Sequence, residues 1–229
     1  MAAEPLSRGQ WQALPRALLS RGSRLKPAVW KVETPSGAVI VKDAAGAPTW
    51  SRWLARWLLA RERRVLERLH GVAGVPELLA CLDRGAFACT LLQGRPLERE
   101  AFARQPRAVV ERLLALIERL HDRGVFHLDL RQRQNVLVDE TGAVAVVDFG
   151  AAWRLGAGTR WLLGGPLGWV DRQAALKYLA RYAPEELSPE EARAVLRAER
   201  WRRLWPFTPH RSRGESEAAR KRLREISGR

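Results

Sequence analysis

Cysteine is nearly absent from this chain of 229 residues, and only one methionine and two tyrosines occur. The two cysteines, Cys81 and Cys89, have no supporting histidine cluster, so no zinc site is indicated. They flank a turn signal at Asp83-Arg84-Gly85, and the expectation is a pair of reduced, small hydrophobic side chains on paired strands. No run of about 18 uninterrupted apolar residues is present, so nothing has the length to cross a bilayer as a helix. The opening MAAEPLSRGQWQ lacks the apolar core of a signal peptide. Internal repeats are also lacking. These absences point to a cytoplasmic protein, with a peripheral place at the inner face of the membrane left open.

Acidic residues are outnumbered. Forty Lys+Arg against 25 Asp+Glu leave a formal charge of +15. Such a balance suits an anionic partner, whether nucleotide, nucleic acid, acidic lipid surface or phosphorylated sugar. Arginine, alanine and leucine are abundant and lysine is scarce, a bias that high-GC codon usage also produces. Part of the charge therefore needs no functional reading.

The segments Ala28–Glu33 and Ala38–Lys42 flank the turn residues Thr34-Pro35-Ser36-Gly37, which predicts a hairpin whose second strand, AVIVK, ends on Lys42. A long helix is expected over 49–70, with Thr49 as N-cap and apolar positions at Trp50, Trp53, Leu54, Trp57, Leu58, Val65, Leu66 and Leu69. The three tryptophans are expected to pack between this helix and the sheet rather than to form a membrane belt. A second hairpin, 77–82 and 86–92, leads to LLQGRPL, where a boundary is placed near residue 94. The pattern at 107–123 is a clear helix stopped by Gly124. Residues 1–17 read as an irregular or short helical lead-in, and 151–169 as a Gly- and Trp-rich stretch. Helices follow at about 171–182 and 188–203.

The most informative stretch is 127–150, HLDLRQRQNVLVDETGAVAVVDFG. Phosphoryl transfer from a nucleotide needs a carboxylate beside the acceptor hydroxyl and oxygen ligands for magnesium at the phosphates. Asp129 lies in a loop entered from a helix, and Asn135 stands just before the strand 136–138. After the turn Asp139-Glu140-Thr141-Gly142, the strand 143–147 ends at Asp148. A hairpin of this kind brings Asn135 and Asp148 toward one another. The alternative is two turn acids and a loop asparagine in an unrelated α/β domain. A nucleotide site also needs a cation on the phosphates and a group that holds it. Lys42 at a strand end and Glu62 on the following helix, twenty positions later, offer that pair; the alternative for Lys42 is a solubility lysine on an edge strand. Glu67 is the rival carboxylate. It lies about 140° from Glu62 around a helix, and Glu62 is preferred because it borders Val65 and Leu66.

From about residue 18 to 182 the chain resembles a small, atypical member of the protein-kinase-like fold. It is most similar to the bacterial lipopolysaccharide-core (Kdo/heptose) sugar kinases and the RIO-type kinases. The residues that carry the resemblance are Lys42 in AVIVK, Glu62 in ARERRVLERL, LLQGRPL, His127-Leu128-Asp129-Leu130, Asn135 and Asp148-Phe149-Gly150. The resemblance implies an α+β, bilobal fold, with a small antiparallel-sheet N-lobe carrying one long helix over 1–93. A reduced, mostly helical C-lobe would occupy 94–205; residues 206–229, polar and basic, read as a C-terminal tail that is either frayed or a loosely attached helix. It implies ATP and Mg²⁺ as cofactors. Asp129 would orient and deprotonate the acceptor hydroxyl, while Asn135 and Asp148 would hold the metal. Lys42 would bind phosphate under the control of Glu62. Gly22 and Ser23 would stand in the phosphate-covering loop, and the adenine would meet the segment from Thr90 to Leu97, at Leu92. His127 would buttress the Asp148-Phe149 turn.

The chain departs from the family pattern at four places. No G-x-G-x-x-G occurs; Ser20-Arg21-Gly22-Ser23 offers one glycine. Leu128 replaces the arginine that docks an activation-loop phosphate, so no such switch is inferred. Asp129 and Asn135 are six positions apart rather than five. Only about 79 residues follow Gly150, so a large peptide-binding platform is not expected. The resulting expectation is a kinase acting on a hydroxyl, with a glycolipid sugar as the preferred acceptor. The alternatives are a RIO-like protein kinase or ATPase linked to RNA and ribosomes, and a pseudokinase scaffold. Trp201 and Trp205 beside Arg200, Arg202 and Arg203 form a candidate interfacial anchor or, equally, part of a helix packed on the large lobe. Residues 193–229 carry twelve basic and four acidic residues, a net of 12 − 4 = +8. That end is thus a candidate contact for anionic membrane or RNA, or a solvated tail.

Overall fold

The computed structural model describes residues 8–97, 102, 104–203 and 215–228, with side chains for all of these except 199–203 and 215–220. In chain order the first elements are α1 (Arg8–Ala13), β1 (Arg16–Ser20), β2 (Ala28–Thr34), β3 (Gly37–Asp43), α2 (Arg52–Arg68), β4 (Leu78–Asp83) and β5 (Ala86–Thr90). Then come β6 (Arg95–Pro96), α3 (Pro106–Asp122), β7 (Val125–Phe126), β8 (Val136–Val138), β9 (Val144–Val146) and β10 (Trp153–Arg154). Three helices end the order: α4 (Ala157–Tyr182), α5 (Pro189–Arg203) and α6 (Glu215–Ser227). The fold is α+β. The chain forms two compact units, Met1–Gln93 with Val146–Arg154, and Gly94–Ala145 with Leu155–Arg229.

The first unit is built on a five-stranded antiparallel sheet of order β1-β2-β3-β5-β4. Thr34 and Gly37 close the β2–β3 hairpin as the turn residues predict, with Gly37 at φ +120° and Thr34 Oγ1 bonded to its carbonyl at 2.6 Å. Strand β1 was not expected. All five of its residues are exposed on the sheet edge, so no apolar alternation marks it. One sheet face packs Trp11 of α1 against Val32, Val39, Val41 and Ala88. The Arg16 guanidinium lies 5.1 Å from the ring centroids of both Trp11 and Trp30.

Two expectations for α2 need correction. The N-cap is Ser51 rather than Thr49, because Pro48–Ser51 forms a preceding turn closed by the Ser51 N–H on the Pro48 carbonyl. The face that packs inward carries Ala55, Leu59, Glu62, Val65 and Leu66, while Trp50, Trp53 and Trp57 are exposed. Helical spacing was read correctly, but two apolar arcs share the helix and the smaller side chains are the buried ones. Cys81 is exposed and Cys89 buried, both free; they pair across the strands with Phe87 and Leu78 rather than with each other.

In the second unit, α3 buries Val109, Val110, Leu113, Leu116, Ile117 and Leu120 and packs against α4. Gly124 stops α3 at φ +70°, where a Cβ would stand 2.7 Å from the Leu155 carbonyl. Strands β6, β8 and β9 form a small sheet. Helix α4 begins at Ala157, well before the expected start near 171, and runs through Pro166. The missing amide at Pro166 falls on an exposed part of the helix, where water can hydrate the freed carbonyl. At the C-terminal end, α6 packs on α5 and buries Leu223, so residues 215–227 are a docked helix rather than a solvated tail. The side chain of Trp201 and the whole of Trp205 lie outside the described residues.

Candidate functional site

In the first unit, β3 is a central strand, bonded on both sides through Val29↔Lys42 and Lys42↔Phe87. This rules out an edge-strand role for Lys42. Its side chain is buried, and its Nζ lies 2.5 Å from Glu62 Oε1 and 3.0 Å from Asp148 Oδ1. Burial opposes the Lys42 charge, but the attraction of Glu62 and Asp148 outweighs it and holds the ammonium above the usual lysine range. Glu62 is on the buried face of α2, whereas Glu67 points outward and pairs with Arg63.

Asp148 adopts the left-handed region at φ +64°, unusual for a residue with a Cβ. It opens the single turn Phe149–Ala151, which packs against α2 with Phe149 buried. Arg61 of α2 donates to the Gly150 carbonyl at 2.6 Å. A Cβ on Gly150 would stand 3.4 Å from Asp148 Oδ1 and 4.0 Å from Glu62 Oε2, ordinary contact distances that place the turn beside both acids. Burial raises the Asp148 carboxyl, but the Lys42 charge and hydrogen bond, with the Gly150 N–H, hold it below the usual carboxylate range. The Asp148 side chain remains 46% exposed.

The segment around Gly22 and Ser23 closes on itself. Gly22 is at φ +72°, and a Cβ there would come within 2.6–2.8 Å of backbone atoms of Lys26, Pro27 and Ala28. The Ser23 N–H donates to the Lys26 carbonyl at 3.0 Å, and the Gly22 N–H to Ser20 Oγ at 3.4 Å. These amides are engaged inside the loop. Leu92 is half-buried in the connection that follows β5.

In the second unit, Asp129 is half-buried and its Oδ2 accepts from Asn135 Nδ2 at 3.1 Å and from Gln132 Nε2 at 2.5 Å. Asn135 Nδ2 also donates to the Asp129 carbonyl at 3.0 Å. The amide nitrogen is thereby committed to Asp129, and Oδ1 is the atom of Asn135 able to ligate a cation. Residues 131–134 between them are all exposed, so the additional loop residue bulges outward.

One buried acid outside the expected set of site residues controls this loop. Asp171 of α4 accepts the N–H of His127 on Oδ2 and the N–H of Leu128 on Oδ1, both at 2.8 Å. Its Oδ2 also lies 3.1 Å from His121 Nε2, and the His121 ring stacks on Phe126 at 4.6 Å. Leu128 is held at φ +64°, a conformation that these two backbone bonds stabilise. Tyr178, seven residues along the same helix, donates to the Leu130 carbonyl at 2.6 Å. The available signal was an acid at helical spacing from Ala174, Ala175 and Tyr178, all on a buried face. The His127 ring accepts the Asp129 N–H at 3.4 Å.

Among the described residues no group of three or more His, Cys, Asp or Glu could hold a metal ion. Magnesium needs no such group, since one or two carboxylates with phosphate and water oxygens suffice. Each within its own unit, Asp148 keeps its side chain half open beside Lys42, and Asn135 keeps its amide oxygen free of the bonds that its nitrogen makes to Asp129. No helix among the described residues is long and apolar enough to cross a membrane. No protein-family model matches the sequence, and no curated protein matches it.

Proposed function

We propose that the chain is an ATP- and magnesium-dependent phosphotransferase of bilobal, protein-kinase-like architecture, acting on a hydroxyl acceptor. The preferred acceptor class is a lipopolysaccharide-core or related glycolipid sugar. The observation that carries this reading is the buried Lys42 ammonium, fixed by Glu62 and in contact with Asp148 in its left-handed turn. A cation so placed would bind the α- and β-phosphates, and Glu62 would keep it from folding back into solvent. Magnesium, when bound by Asp148 and Asn135, would neutralise charge on the transferring phosphate. Asp129, oriented by Asn135 and Gln132, would accept the proton of the acceptor hydroxyl. The acceptor class rests on the +15 charge, which favours an anionic acceptor.

The self-closed Gly22–Ser23 loop favours a second reading, a scaffold that grips nucleotide weakly and does not turn it over. Melting curves with and without ATP and Mg²⁺ separate the two. The enzyme reading expects stabilisation by the nucleotide–metal pair, largely lost in Asp148→Asn, which keeps the shape but removes the charge. Equal shifts in both proteins would remove Asp148 from the metal site. Label transfer from γ-labelled ATP to core glycolipid, against ribosomal fractions and the protein itself, then identifies the acceptor.

A further inference from the structure

Helix α2 has two apolar arcs, and only one is used by the fold. Trp50, at its entrance, and Trp53 and Trp57 within it are 66%, 69% and 52% exposed. At helical spacing these three fall within about 60°, and an arc of about 80° also takes in Arg61, Arg64 and Arg68. The core-facing residues Ala55, Leu59, Glu62 and Leu66 lie on the other side of the helix. Three large aromatics left in water on one line are not needed for folding, and an exposed apolar patch of this kind marks a contact surface.

The surroundings of the stripe are basic. Helix α2 holds six arginines and two glutamates, a net of 6 − 2 = +4, and Glu62 is consumed by Lys42 in the interior. Ser51 Oγ donates to the Arg24 carbonyl at 2.8 Å, which brings exposed Arg24, Leu25 and Lys26 to the start of the same stripe. Farther along, Trp57, Arg61, Arg64, Val65, Trp153 and Arg154 line an open cavity of about 300 Å³. Two indoles and three guanidiniums around one recess suit a phosphate headgroup with the first carbons of its chain. The Arg61 guanidinium already lies 5.7 Å from the Trp57 ring centroid.

We propose that the outward face of α2 seats the protein on an anionic lipid bilayer, with the indoles at the headgroup level and the arginines on lipid phosphates. Tryptophan prefers that interface because its ring is apolar and its N–H is wet. Arginine forms bidentate bonds to phosphate. The stripe carries no acidic residue to repel the surface. This inference stands on exposure and charge, and does not depend on phosphotransfer.

The test is co-sedimentation of the full chain with vesicles of phosphatidylcholine containing about one-quarter phosphatidylglycerol, against pure phosphatidylcholine, at about 0.15 M salt. The wild type should bind the anionic vesicles. The triple variant Trp50→Ser/Trp53→Ser/Trp57→Ser should lose at least about tenfold in partitioning with an unchanged melting temperature, since its sites are exposed. Should that variant melt early, Arg64→Glu/Arg154→Glu, at exposed residues of the recess, carries the test and should lose a similar factor. The pair Trp161→Ser/Trp169→Ser, on the exposed part of α4, serves as the reference. Failure of the wild type to bind, undiminished binding by the α2 variants, or loss confined to the α4 pair would overturn the proposal. So would a wild-type dimer that the triple variant disperses, or binding to an RNA oligomer that depends on the same tryptophans and vanishes between about 50 and 200 mM salt while vesicle binding is absent.

Discussion

Lys42 and Glu62 are legible as a pair because both ends of their contact are written in local patterns. A strand of alternating valine and isoleucine delivers Lys42, and helical periodicity decides between Glu62 and Glu67. Because the pair is buried, removing one partner costs more than the pair contributes. Lys42→Met strands the Glu62 carboxylate and should destabilise by about 3–5 kcal/mol, and adding Glu62→Leu should recover much of it. Urea titration of the two variants gives the answer, and equal stabilities would mean that water already reaches Glu62. The Asp148 contact is more exposed and weaker. Its carboxyl is held below the usual range, so the stabilisation it adds is complete above the unfolded value near about pH 4. It is lost as pH falls through the depressed folded value. The stability difference between wild type and Asp148→Asn should therefore be flat from about pH 8 to 5 and shrink below about pH 4, with a ceiling of about 1 kcal/mol. A difference that grew on acidification would reverse the sign of the Lys42 effect. Asp129→Asn should leave nucleotide-induced stabilisation intact while lowering phosphate transfer by at least about 10²-fold. Undiminished transfer would show that no base, or another one, acts.

Elements were legible where one apolar face dominates and obscure where two compete. Helix α3 has a single stripe ended by Gly124, and its expected span, 107–123, is within a residue of that found, Pro106–Asp122. Helix α2 lies where its spacing predicts and turns Glu62, Val65 and Leu66 inward as expected, but its three tryptophans face outward, since the close packing beside the sheet admits the smaller residue at Ala55. The first half of α4 falls in the Gly- and Trp-rich stretch 151–169, where Gly164, Gly165, Pro166 and Gly168 have low helix propensity. Propensity loses there to packing: a Cβ at Gly168 would lie 3.3 Å from the His121 ring, so glycine permits the approach of α4 to α3. That approach sets Asp171 under the loop. Asp171→Asn keeps the shape but puts an amide where two acceptor oxygens are required, facing a backbone N–H with a donor. Asp171→Ala leaves the N–H groups of His127 and Leu128 unsatisfied. Losses of about 2–4 kcal/mol are expected for Ala and somewhat less for Asn. Amide exchange at His127 and Leu128 should accelerate in both variants. Unchanged protection at these two amides would mean that the loop holds its left-handed Leu128 without the carboxylate.

At the scale of the whole molecule, the hairpins and the break near residue 94 were readable from turn residues, and the α+β class was what the family resemblance implied. The grouping of Val146–Arg154 with the first unit was not, because a short strand and a single helical turn carry no periodicity that names their neighbours. Net charge is different, since it can be read completely from composition and acts on every part of the fold at once. With +15 spread over 229 residues, the compact state is strained by its own repulsion, and the unfolded chain relieves that strain by expanding. Added salt screens the repulsion over about 10 Å at 0.1 M. The exposed ion pairs, such as Arg107–Glu111 and Arg172–Glu118, are weakened by the same screening, but each contributes under about 1 kcal/mol. The buried Lys42–Glu62 contact is shielded from it. Repulsion should therefore win, and the melting temperature should rise by several degrees as sodium chloride increases from about 20 to 300 mM, before any specific anion effect enters. Sulfate at equal ionic strength should raise it further if an anion-binding site is also being filled, by mass action on the folded state. A melting temperature that fell with sodium chloride would show that the ion pairs, rather than the excess of arginine, set the electrostatics of the fold.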